Sequence, residues 1–101
     1  MIEVNNFYAS FNNLSKAKIK STFELYGWSS RKASWTDFEL ANDWSELILD
    51  GTDNEPLLHG SVVFNPDNIK LLDEIFSTLN GQYVYEFYDN DKTQILEKKS
   101  K

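Results

Sequence analysis

The chain contains no cysteine, which excludes a disulfide framework, a thiolate zinc site and a cysteine nucleophile together. Its one histidine, His59, leaves no His–His metal pair within the chain. Glycine is scarce: single residues stand at 27, 51, 60 and 81, so no Gly-rich phosphate loop can form. Unbroken apolar runs stop at three residues, as in Leu47-Ile48-Leu49 and Val62-Val63-Phe64. A membrane span needs about 20, so none is expected. Met1 to Phe11 has neither a basic n-region nor an apolar h-region, and no signal peptide is expected either. No motif implies a cofactor.

What is present is aromatic and acidic. Aromatic residues make up 15% of the 101 residues, too many for a disordered tail. The length suits one α+β domain, with residues 97–101 expected to fray. The net charge of −6 is unevenly spread. Residues 1–32 carry Lys16, Lys18, Lys20, Arg31 and Lys32 against Glu3 and Glu24, a balance of +3. Residues 33–91 carry thirteen acids against the single base Lys70, a balance of −12, and residues 92–101 return to +3. Such a middle segment projects a negative field that repels nucleic acid and anionic lipid and draws in cationic partners. Acidic residues that merely keep a small protein soluble would read the same way.

Alternation over residues 2–11 predicts a first strand, and Asn12-Asn13 supply turn or cap chemistry after it. From Leu14 to Tyr26, residues Leu14, Ile19, Thr22, Phe23, Leu25 and Tyr26 share one side of a helix, with Lys16 and Lys20 facing water and Gly27 ending it. Ser34–Leu40, Trp44–Leu49 and Leu57–Phe64 read as an antiparallel meander, with Gly60 as a bulge. Asn65-Pro66-Asp67 then opens a second helix whose stripe is Ile69, Leu72, Ile75, Phe76 and Leu79, ended by Gly81. Gln82–Tyr88 and Thr93–Leu96 form a last hairpin. The order β-α-β-β-β-α-β-β predicts two helices packed on a mostly antiparallel sheet, the α+β class.

Candidate chemistry is sparse. His59 lies mid-strand with no nucleophile motif around it and reads as a strand histidine, although a hydrolase reading with a nearby carboxylate stays open. Asp50, Asp53 and Glu55 could ligate a hard cation, but their spacing is not that of a calcium loop, and turn chemistry accounts for them. Glu39, Glu46 and Glu86 could pair as in glycosidases, yet a two-layer domain of this size rarely builds the cleft a sugar needs. The chain is expected to be no enzyme. Lys16, Lys18, Lys20, Arg31 and Lys32 could touch phosphate, but the acidic middle opposes that.

The richest constellation is the hairpin containing Trp35 and Trp44. Alternation puts Trp35, Asp37 and Glu39 on one face of the first strand and Trp44, Glu46 and Ile48 on one face of the second. Aromatic anchors ringed by acids have the make-up of a binding hot spot, although both rings could equally cover the edge of the core. The expected partner-binding residues are Trp35, Asp37, Glu39, Asp43, Trp44, Glu46, Asp50, Asp53 and Glu55.

A small, acidic, cysteine-free, aromatic-rich α+β chain without a catalytic motif resembles the immunity proteins of bacterial polymorphic and contact-dependent toxin systems. The resemblance covers the whole chain in size, charge and character. It implies a cytoplasmic inhibitor that binds one toxin domain and blocks its active site. Toxins of this kind are often nucleases with basic clefts, so the expected partner is a protein with a basic surface, with no nucleic acid and no membrane. A regulatory or scaffold protein that mimics DNA charge is the alternative; it would space its acids along a ridge.

Overall fold

Phe7, Ala9 and Phe11 alternate with Asn6, Tyr8, Ser10 and Asn12, the two-residue period of a strand with one covered face. In the structure, a computed structural model that describes residues 4–100, they form β1 (Val4–Asn12). After it come α1 (Lys16–Leu25), β2 (Ser29–Lys32), β3 (Phe38–Asn42), β4 (Ser45–Gly51) and β5 (Pro56–Val63). Helix α2 (Pro66–Thr78), β6 (Gln82–Tyr88) and β7 (Gln94–Lys99) complete the chain. All seven strands join one antiparallel sheet in the order β2-β3-β4-β5-β1-β6-β7. The fold is α+β, two helices on an antiparallel sheet.

Helix α2 begins where its local sequence directs it. The Asn65 side chain accepts from the Asn68 backbone N–H at 2.8 Å, Pro66 fills the first helical position, and Asp67 meets the positive helix end. Both helices lie on one face of the sheet. Ile19 and Phe23 of α1 and Leu72, Ile75 and Phe76 of α2 are buried with Phe7, Phe11, Leu40, Leu47, Leu49, Leu58, Val62, Tyr85 and Phe87. Phe76 is the hub, with the rings of Phe7, Phe11, Phe23, Tyr83 and Tyr85 centred 5.0–6.3 Å away. The buried Tyr85 hydroxyl donates to Asp73 on α2, whose other oxygen accepts from Lys98 Nζ at 2.6 Å. Burial and that carboxylate push the Tyr85 hydroxyl far above its ordinary range.

Several local expectations are corrected. Ser29–Lys32 forms an additional short edge strand, and residues 33–37 become a turn between β2 and β3 instead of the start of a strand. Lys16 does not face water: it is 3% exposed, and its ammonium reaches that turn. Leu25, placed on the apolar arc, is 85% exposed. Ser15, not Asn12 or Asn13, caps α1. Gly60 makes no bulge, since the β4–β5 and β5–β1 registers run through it unbroken. Its φ is +154°, and a Cβ there would meet the Glu46 carbonyl oxygen at 2.0 Å, so the backbone approach itself requires glycine. The tail pairs as far as Lys99, which lies opposite Val84. Ile2, at the predicted start of the first strand, and Lys101 lie outside the described residues.

Candidate protein-binding face

Two helices cover one side of the sheet, and among the described residues no second layer covers the strand residues pointing the other way. The registers line these residues up in rows across the strands. One row runs Arg31, Glu39, Ile48, His59, Tyr8, Glu86 and Glu97. On one side of it lie Ala41, Glu46, Ser61, Asn6 and Tyr88, and on the other Asp50, Leu57, Ser10, Val84 and Lys99.

Charge on this bare face is only partly compensated. Arg31 pairs with Glu39, which raises the already high affinity of the guanidinium for its proton, and Lys99 lies 3.6 Å from Glu97. Among the described residues, Glu46, Asp50 and Glu86 have no Lys or Arg within ion-pair distance. Asp50 is hydrogen-bonded to His59 Nε2 at 2.9 Å. Glu86 accepts from the Tyr88 hydroxyl, a bond that holds the phenol protonated above its usual range. Tyr8, 50% exposed, packs against the Tyr88 ring at 5.6 Å and 79°. These three carboxylates, without a Lys or Arg partner, therefore stand around an apolar centre of Tyr8, Ile48, Leu57 and Val84. That is a cation-seeking surface with apolar contact area. Shallow recesses mark it, among them one of about 590 Å³ over β2–β4 and one of about 370 Å³ over β4, β5, β1 and β6.

The residues expected from the sequence fall in three places. Glu39, Glu46 and Asp50 lie on the bare face. Trp35 and Asp37 occupy the β2–β3 turn, at the same end of the sheet as Asp53 and Glu55 in the β4–β5 loop. Asp43 and Trp44 form the β3–β4 turn at the opposite end. Glu46 and Ile48 share one face as expected, but Trp44 does not join them there, and Trp35 and Asp37 lie in a turn and not on a strand face with Glu39. Trp35 is 91% exposed, with Lys32 Nζ 5.6 Å from its ring. Trp44 is half-buried, its ring 5.1 Å from the buried Trp28, whose Nε1 donates to Ser45 Oγ at 2.9 Å. Of the two tryptophans, Trp35 is the one that projects into solvent.

The Trp35 turn is tightly tied. Ala33 and Ser34 donate to the Asp37 carbonyl at 2.9 and 3.4 Å. Lys16 Nζ donates to the Thr36 carbonyl at 2.9 Å and to Asp37 Oδ1 at 3.2 Å, and this contact holds the Asp37 carboxyl below its usual range. Sequence reasoning missed Tyr8, Leu57, Val84, Glu86 and Tyr88 as members of one surface. The alternation of β1 and β6 marks each as outward-facing, but only their pairing brings them together. Among the described residues, no helix is long and apolar enough to cross a membrane, and no group of three His, Asp or Glu side chains is placed to hold a metal ion. Compared with known proteins, the chain matches no family model, no curated protein and no solved structure.

Proposed function

We propose that this chain is a cytoplasmic protein-binding inhibitor of the immunity type, which occupies the basic, nuclease-like cleft of a toxin domain and performs no chemistry itself. The observation that carries this reading is the bare sheet face, with Glu46, Asp50 and Glu86 standing without a Lys or Arg partner around Tyr8, Ile48, Leu57 and Val84. Trp35, at the sheet end shared with Asp53 and Glu55, adds an apolar anchor on a fixed turn. Acids gathered about an apolar centre favour this reading over DNA mimicry, which calls for a phosphate-like ridge. The negative field speeds encounter with a basic partner and makes the rate depend on salt.

The test is calorimetric titration against the basic domain encoded by a neighbouring reading frame, at low and moderate salt. Binding should weaken as salt rises. Glu46→Lys on the bare face should weaken it strongly, whereas Glu74→Lys on the exposed side of α2 should not. Absence of binding at low salt, or equal sensitivity to both reversals, would remove this function.

A further inference from the structure

The recess over β4, β5, β1 and β6 has walls of mixed chemistry. Tyr8, Ser10, Asp50, Leu57, His59, Val84 and Glu86 enclose about 370 Å³, and neither Lys nor Arg lines it. Leu57 and Val84 flank Ser10 in one cross-strand row. In the adjacent row Tyr8 stands directly between His59 and Glu86. Directly opposed side chains have Cβ atoms about 5 Å apart, so the Glu86 carboxylate stands beside the Tyr8 ring. Its bond from the Tyr88 hydroxyl fixes it while leaving most of its acceptor sites free. Asp50, tied to His59, closes the far wall with a second negative charge.

We infer that this recess receives an arginine side chain of the partner protein. The inference rests on the bare face being the protein interface. The aliphatic stem lies along Leu57 and Val84, the guanidinium stacks on Tyr8, and its N–H groups donate to Glu86. Charge complementarity selects a cation, and the other walls select arginine among cations. A planar guanidinium stacks on a ring and meets a carboxylate with two parallel bonds, whereas an ammonium is a compact, strongly hydrated point charge. Asp50 strengthens the negative potential without needing to touch the guest.

The experiment is an NMR titration of the full chain with N-acetyl-arginine amide and, in parallel, with N-acetyl-lysine amide. Arginine should shift Tyr8, Val84 and Glu86 at millimolar concentrations, and about threefold more tightly than lysine. Glu86→Gln should weaken arginine binding about tenfold, the loss of one charge-assisted bond. Glu74→Gln should change nothing. Tyr8→Leu keeps the wall apolar while removing the ring, and should erase the preference for arginine over lysine. Equal affinity for both amides, shifts confined to other surfaces, or an unchanged response in Glu86→Gln would overturn the proposal. Glu46 lies outside this recess, so the partner's response to Glu46→Lys judges the interface separately.

Discussion

Lys16 at the start of α1 and Asp37 at the end of the β2–β3 turn are joined at 3.2 Å, across 21 residues of chain, with the lysine almost wholly buried. The pair links the helix layer to the turn that presents Trp35. Lys16→Met should therefore leave the core standing but loosen the turn. Fluorescence anisotropy of Trp35, read as the difference from a Trp35→Phe control, should fall. An unchanged anisotropy would show that the backbone bonds of the turn suffice alone.

The same pair has a pH signature. Lys16 lowers the Asp37 carboxyl below its ordinary value of 3.8. The stabilisation is therefore complete above that value and is lost as pH falls through the lowered one. Trp35 emission should change in this acid range, before global unfolding. Asp37→Asn should abolish the step.

Tyr85 works in the opposite direction. Its hydroxyl, buried and facing Asp73, is raised above the ordinary 10.0, so the neutral form stabilises the fold. That contribution is complete below pH 10 and declines as pH rises towards the raised value. Tyr85→Phe should cost about 1 kcal/mol at neutral pH. Urea denaturation at neutral and strongly alkaline pH should show a smaller alkaline loss in the variant than in the parent.

The two tryptophans should separate cleanly. Trp35→Ala should leave thermal stability unchanged and cost about 2 kcal/mol of partner affinity, as a preorganised anchor does. Trp44→Ala removes a ring packed on Trp28 and should lower stability by about 2–3 kcal/mol, with any affinity loss following from that. Thermal melts alongside binding titrations distinguish the two. A Trp44 variant of parental stability but lost affinity would move the anchor to the other end of the sheet.

Helix α2 was legible because its cap, proline and apolar stripe are all local to residues 65–79. The α+β architecture followed from the same kind of signal. The β2–β3 region was not legible, because Ser29–Lys32 has no apolar period and becomes a strand only through pairing with Phe38–Ala41. Lys16 looked like a solvent lysine because its partner is 21 residues distant. The bare face was half legible: Glu39, Glu46 and Asp50 belong to neighbouring strands, whereas Tyr8 and Glu86 come from opposite ends of the chain and meet only in the β1–β6 register.

The sheet has two free edges, β2 and β7, and these carry Arg31 and Lys32 on one side and Lys98 and Lys99 on the other. Charged side chains stand along both rims, and a second copy docking edge to edge would have to desolvate them and disturb the pairs of Arg31 with Glu39, Lys98 with Asp73 and Lys99 with Glu97. Edge-on growth into a continuous ribbon is thereby discouraged although both rims keep unpaired backbone groups. Four of the ten bases of this acidic chain, Arg31, Lys32, Lys98 and Lys99, thus stand at the two edges of the described sheet, where edge-on growth would begin.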